Sequence, residues 1–159
     1  MWARATTVVF VSIAAVLAQG CGDDGSSAPA ERAGGQQVPV RVGGDEVRAD
    51  VADTDQERAA GLSGRAALAR DQGMLFEFPA ASRPAFWMRG MRFPIDIVWI
   101  ARGRVTEVTA RAPVPRPGTS ESELPLYRPR RNADRVLEVS AGWARRNGVG
   151  PGDAVAISR

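Results

Sequence analysis

The strongest constraint on the fold is the strand-like run at residues 94–100, PIDIVWI. Side chains alternate between the two faces of a strand, and here both alternating sets are mostly apolar. A strand of this kind must be covered on both sides, which places it in the interior of a sheet. Arg102 and Gly103 then form a tight turn, and the alternating segment 104–109 is the predicted hairpin partner.

The rest of the chain predicts further short elements. Thr54 and Glu57 have the spacing of a capping box, which opens a short helix that Gly61 ends. Further short helices are predicted at residues 64–69 and 141–147. The pattern predicts a mainly β domain, a compact antiparallel barrel or sandwich with two or three short helices, with an α+β fold as the alternative. The remaining predicted strands cover residues 38–42, 46–52, 73–78, 135–139 and 154–158.

The amino terminus has the pattern of an export signal. Residues 5–18 are charge-free and rich in apolar side chains, and they follow a basic start at Arg4. A helix of that length reaches only about 21 Å, short of the ~30 Å hydrocarbon core of a membrane. Cys21, the only cysteine, follows this stretch after Gln19 and Gly20. The arrangement resembles a bacterial lipoprotein signal, in which the cysteine is lipidated and becomes the first residue of the mature chain.

These features predict three parts of the chain. Residues 1–20 are a signal peptide, residues 21–37 are a flexible Gly/Ser-rich tether that begins with Cys21, and residues 38–159 are a single β-rich domain. We expect an exported protein that is lipid-anchored to the cell membrane or periplasmic. An ordinary signal peptide, cleaved nearby to leave a free cysteine, is the alternative.

Composition excludes several kinds of chemistry. The chain has no histidine, so Ser-His-Asp triads and histidine metal sites cannot form. All 21 basic residues are arginine, which excludes lysine-based catalysis. The net charge of +3 is small and argues against a nucleic-acid partner. We expect no cofactor and no resident metal.

Five separated motifs carry a resemblance to a known family. In order and spacing, residues 49–157 resemble the domain of unknown function 192 (DUF192). The resemblance implies a compact β-rich domain, often exported, with no assigned reaction. The family usually continues its Trp-Met pair with a basic residue, Asn and Thr, and this chain has Arg89, Gly90 and Met91 there. The motifs lie at residues 52–62, 73–76, 86–88 leading to 94–96, 136–138 followed by 141–142, and 152–153.

Two acidic residues within apolar strands are candidates for chemistry. A buried carboxylate is costly unless it is paired or hydrogen-bonded, so Asp96 and Glu138 need a partner or a task. One interpretation is architectural, with Arg58 as the available ion-pair partner. The alternative is a cell-envelope glycan hydrolase, in which Asp96 and Glu138 serve as acid and base about 5 to 9.5 Å apart.

A second candidate site surrounds the predicted surface tryptophan. Trp87, Met88, Arg89 and Arg58 would hold a small-molecule, glycan or protein ligand by stacking and charge. A further alternative is a Cu(I)-handling domain that uses the thioethers of Met88 and Met91. Our leading interpretation is a non-enzymatic, lipid-anchored binding or accessory domain.

Overall fold

The computed structural model of the chain describes residues 36–159. The predicted signal peptide at residues 1–20, the lipidation site Cys21 and the tether up to residue 35 lie outside the described residues. Within residues 36–159, no helix combines the length and the apolar character needed to cross a membrane.

Seven strands and two short helices, with one turn of 3-10 helix, form the described part of the chain. Residues 113–132, between the fifth and sixth strands, are irregular apart from the 3-10 turn at Glu121–Glu123. The elements are β1 (Gln37–Val42), β2 (Asp45–Ala52), α1 (Asp55–Ala60), β3 (Gln72–Ser82), β4 (Ile95–Ala101), β5 (Arg104–Ala112), β6 (Ala133–Ser140), α2 (Trp143–Arg146) and β7 (Val155–Ile157).

The strands form one sheet in the order β5-β4-β6-β3-β2-β1-β7. The pairing of β2 with β3 is parallel, and every other pairing is antiparallel. Arg104 and Ala154 form a bridge that brings the two edges of the sheet together at one end. The Val105 amide there donates to the Asp153 carbonyl at 2.9 Å. The sheet is therefore curved into a half-barrel.

The mainly β prediction is confirmed, and so are several local predictions. β4 lies between β5 and β6, and its residues from Ile95 to Ile100 are all buried. Thr54 caps α1 by accepting from the Glu57 amide, and the Glu57 carboxylate accepts from the Thr54 amide at 3.1 Å. Gly61 ends the helix with a positive φ of 49°, which glycine adopts more readily than other residues.

Two local predictions are wrong. Residues 64–69 do not form a helix, because Arg65 within this stretch turns back to contact β2. The third strand continues past Pro79 to Ser82, beyond the predicted range of residues 73–78. Pro79 has no amide hydrogen to donate, and the pairing with β6 shifts register between Glu77 and Ser82.

The two faces of the sheet carry separate apolar clusters. We call them the α2 face, which Trp143 and Ala144 of α2 cover, and the α1 face, to which Leu62 after α1 contributes. Residues directly paired between antiparallel strands share a face. Thus the two faces alternate along β4 and β6, and neighbouring residues of these strands serve different clusters. The α2 face carries Val98, Ile100, Leu137 and Val139, and the α1 face carries Ile95, Ile97, Trp99 and Val136.

Candidate functional site

A pocket of about 330 Å³ opens on the α1 face. One side is the end of α1 and the turn after it, residues 58–63. The opposite side is the segment 84–87 with Arg89 and Met91. Phe76 and Phe78 of β3 and Glu138 of β6 complete the lining. The volume is at the lower end of the range for small-molecule sites.

Aromatic rings hold the pocket wall in place. Phe86 contacts Phe76 and Trp99 edge to face, with ring centroids 4.9 and 5.5 Å apart. Phe78 packs against the same ring at 6.4 Å. Edge-to-face contacts stabilise such a cluster beyond the area it buries. The segment that follows Phe86 is therefore anchored from below, and its next residue, Trp87, stays 41% exposed at the rim.

Arg58 forms a fixed part of the wall. Its Nη1 donates to the carbonyls of Asp53 and Glu77 at 2.5 and 2.8 Å, and its Nη2 lies 2.6 Å from Asp55 Oδ1. Its guanidinium also lies 5.6 Å from the centre of the Phe78 ring. These contacts join α1 to β3, so Arg58 holds the pocket open as well as lining it.

Arg89 and Trp87 form the rim. The Arg89 guanidinium lies 4.6 Å from the centre of the Trp87 ring, a cation–π contact. Its Nη1 lies 3.2 Å from Glu121 Oε1, and both side chains are largely exposed. A pair with this exposure contributes little to stability. The rim is therefore free to rearrange around a ligand.

Glu138 lies on the pocket floor. It is only 5% exposed, and it sits between Met74 of β3 and Ile97 of β4 in the sheet. Among the described residues, none donates a hydrogen bond to its carboxyl group. Burial raises the pKa of Glu138 from its usual value of 4.5 to about 8, against the opposing charge of Arg65. The group is therefore mainly an uncharged carboxylic acid at neutral pH.

An ion pair lies beside the floor in the same row of the sheet. Asp50 is opposite Met74, and Met74 is opposite Glu138. The buried Asp50 carboxylate accepts from Arg65 Nη1 at 2.7 Å and from Gln37 Nε2 at 2.9 Å. Asp50 thus accepts from two side chains, whereas Glu138 in the same row accepts from no donor within residues 36–159.

The structure does not bring Asp96 and Glu138 together, and the predicted acid–base pair is corrected. Asp96 is opposite Val139, so its side chain lies on the α2 face, whereas Glu138 lies on the α1 face. The two carboxyl groups are separated by the sheet and cannot flank one substrate. Nor does Arg58 pair with either acid, since its acidic partner is Asp55.

Asp96 instead holds the architecture. Its Oδ1 accepts from the amides of Arg111 and Gly142 at 2.8 and 2.9 Å, and its Oδ2 accepts from the Ala144 amide at 3.0 Å. The carboxylate is fully buried. It joins β4 to the start of α2 and to the end of β5, where Arg111 adopts a left-handed φ of 54°.

The two methionines are packing residues in this fold. Met88 and Met91 are buried in the cluster of the α1 face. Met91 lines the aromatic pocket, whereas Met88 lines a separate groove with Tyr127, Pro113 and Pro125. Three of the four predicted ligand residues thus line the pocket, and Met88 does not. No group of three or more His, Cys, Asp or Glu in residues 36–159 is arranged to hold a metal ion.

Sequence reasoning missed much of the pocket wall. Phe76 and Phe78 line it, and their spacing of two along a strand is a signal that both point to one face. Phe86 belongs to the family motif at residues 86–88, which does not by itself indicate a pocket. The sequence carries one usable signal for the pairing of Asp50 with Arg65. Asp50 is an acidic residue within the alternating pattern of β2.

Comparisons with known proteins agree with this fold. The family model for DUF192, described as "Uncharacterized ACR", matches residues 38–157. No curated protein matches the chain.

Two crystal structures are similar to it, both with a TM-score of 0.71. One, from Novosphingobium aromaticivorans DSM 12444 and described as a protein of unknown function, is 32% identical and covers 79% of this chain and 88% of its own. The other, from Sinorhizobium meliloti 1021 and described as a "putative transcription regulator", is 28% identical and covers 80% of this chain and 98% of its own. The chain therefore belongs to the DUF192 family, an uncharacterised family.

Proposed function

We propose that this domain is a non-enzymatic binding module that takes a small organic ligand into the pocket of the α1 face. The observation that carries the proposal is the pocket itself. It combines anchored aromatic walls, a partly exposed tryptophan at the rim and, on the floor, a carboxyl group to which no residue of 36–159 donates a hydrogen bond. Binding sites for small molecules combine apolar walls with a few such polar groups.

The surroundings of the pocket favour binding over catalysis. The chain has no histidine and no lysine, and Cys21 is its only cysteine. The second buried carboxylate on these strands, Asp96, lies on the opposite face and is held by three backbone amides. Glu138 therefore has no acid–base partner from Asp96, which leaves hydrogen bonding to a ligand as its simplest task.

Trp87 gives the proposal a direct test. Trp99 and Trp143 are buried, so a ligand in the pocket should change mainly the Trp87 contribution to the fluorescence. We would screen small planar and cyclic compounds by tryptophan fluorescence and by NMR of the labelled protein. Compounds that bind should shift signals of residues 58–63 and 84–89.

Two variants control that screen. Trp87→Phe should remove the fluorescence response, and Trp87→Ala should weaken binding. Leu126→Ala, which truncates an exposed apolar residue outside the pocket lining, should bind normally. Equal ligand affinities of wild type, Trp87→Ala and Leu126→Ala, measured by NMR, would contradict a ligand site at the rim.

We further propose that the domain works outside the cytoplasmic membrane, lipid-anchored through Cys21. Support comes from the sequence of residues 1–21, with its basic start, apolar core and single cysteine. Mass spectrometry of the mature protein from membranes should find a lipid-modified Cys21 at its amino terminus. Cys21→Ser should abolish the modification and release the domain from the membrane. A mature chain that starts elsewhere, with an unmodified cysteine, would contradict the anchor.

A further inference from the structure

The pocket floor offers a donor and an acceptor side by side. An uncharged carboxylic acid carries one O–H donor and one carbonyl acceptor on the same planar group. Glu138 holds this group at the base of walls that are flat and aromatic, and no described residue donates to it. A buried polar group gains most from a ligand that satisfies both positions at once.

From this geometry, and resting on the proposed binding role, we infer that the ligand is a small planar molecule with an amide or cyclic-amide edge. The ligand N–H would donate to the carbonyl oxygen of Glu138, and the ligand carbonyl would accept from its O–H. The planar remainder would pack among Phe76, Phe86 and Trp87.

The charges around the floor favour an uncharged ligand. Arg65 places a positive charge near Glu138, and Arg58 places another in the wall. A cation on the floor would therefore meet like charges. An anion would need an unengaged guanidinium, and each nearby arginine already has an acidic partner. These pairs are Arg58 with Asp55, Arg65 with Asp50 and Arg89 with Glu121.

Three probes that share one ring separate the classes of ligand. Benzamide presents the amide edge, benzoate presents an anion, and benzamidinium presents a cation. We would measure their dissociation constants by NMR titration of the labelled protein. Benzamide should bind most tightly at neutral pH, and N,N-dimethylbenzamide, which lacks the N–H donor, should bind more weakly.

The pH dependence gives a second readout. Benzamide binding requires protonated Glu138, so its dissociation constant should rise about tenfold between about pH 7 and about pH 9. The charged groups around Glu138 are Arg65 with its partner Asp50, from the loop and β2, and the pocket-lining Arg58 and Arg89. The ionisation of Glu138 should dominate this window, because burial raises its pKa to about 8 while arginines stay charged throughout.

Variants of Glu138 complete the test. Glu138→Gln keeps a donor and an acceptor, so it should bind benzamide with no pH dependence. Glu138→Leu should lose benzamide binding. Persistent binding by the Leu variant would overturn the inference.

The outcomes separate the inference from the proposed function. Preference for benzoate or benzamidinium, or screen compounds that bind without an amide edge, would overturn the ligand class and leave a binding module. If neither these probes nor the wider screen perturbs the pocket, the proposed function itself fails.

Discussion

Asp96 and Glu138 lie on neighbouring strands, one register position apart, yet they have different surroundings. The Asp96 carboxylate accepts from three backbone amides on the α2 face. The Glu138 carboxyl group, on the α1 face, faces a pocket and has no donor among the described residues. Burial favours the neutral form of Glu138 and raises its pKa, against the opposing charge of Arg65.

Asp96 is therefore a structural residue, whereas Glu138 is available for function. Asp96 orders the start of α2, so replacing it should disturb the fold. The Glu138 side chain makes no hydrogen bond with any described residue, and its burial is unfavourable whenever it ionises. A group kept at such a cost in a pocket is a candidate for function.

The pH dependence of stability gives the largest expected contrast. Because the folded-state pKa of Glu138, about 8, exceeds its usual value of 4.5, the folded protein holds this proton more tightly. Its contribution to stability is full below about pH 4.5 and falls as pH rises to about 8, by on the order of 5 kcal/mol. Urea unfolding across this pH range should show that Glu138→Gln becomes more stable than wild type as the pH rises.

The difference between the two proteins isolates Glu138. Capping hydrogen bonds lower the pKa of Glu57 and Glu123, which acts in the opposite direction, but they do so equally in wild type and variant. A difference in stability that stays constant with pH would show that Glu138 does not titrate in this window.

Replacing Asp96 should have the next largest effect. Asp96→Asn removes the charge and one of the two acceptor oxygens, while the three amides remain buried. A loss of about 3 kcal/mol in the free energy of unfolding is expected, from about 1.5–3 kcal/mol for each hydrogen bond to a charged group. Urea unfolding at neutral pH measures this loss. Glu138→Gln is the matched control, because it makes the same change from carboxyl to carboxamide. Equal stability of the two variants would remove the distinction between the faces.

Replacing Gly90 tests the contact between the segment at residue 90 and the turn at residues 61–64. Gly90 has a left-handed φ of 68°, its carbonyl accepts from the Gly64 amide at 2.9 Å, and an added Cβ would lie 2.2 Å from Ser63 Oγ. Gly118 has a φ of 84° with open space around it. Both Ala variants should lose about 1 kcal/mol from backbone strain. Gly90→Ala should also turn the Ser63 hydroxyl away and shift NMR signals of residues 61–64, and matching losses without such shifts would contradict a role for that contact.

A similarly small effect on stability is expected at the rim. Trp87→Ala should lower the free energy of unfolding by only about 1 kcal/mol, the scale of an exposed cation–π contact such as the one it makes with Arg89. Trp99→Ala, on the same face but fully buried, should lose about 3–5 kcal/mol. Thermal unfolding of the two variants compares them, and a large loss from Trp87→Ala would place this residue in the core rather than at a binding rim.

Local sequence signals predicted much of the fold. The capping box of Thr54 and Glu57 and the run at residues 94–100 each depend on neighbours in the chain, and both are confirmed. Two other features join segments that are distant in the chain: the parallel pairing of β2 with β3 and the contact of Arg65 with Asp50. No local sequence pattern predicts them.

The candidate site was only partly predictable for the same reason. Trp87, Arg89 and Arg58 were suspected from residue type, and they do line one pocket. The different roles of Asp96 and Glu138 depend on the register of β4 against β6. A shift of one residue exchanges the two faces, and two apolar strands with an acid in each do not specify that register.

A direct titration of the Glu138 carboxyl group would decide whether the two acids differ as described. Its side-chain ¹³C resonance can be assigned by its absence from the Glu138→Gln spectrum and followed through a pH series in the folded protein. A vacant, desolvated carboxyl group should titrate with a midpoint near pH 8. A midpoint near the usual value of 4.5 would mean that Glu138 is solvated or partnered, and the pocket floor would not be the neutral hydrogen-bonding group on which the proposed ligand class depends.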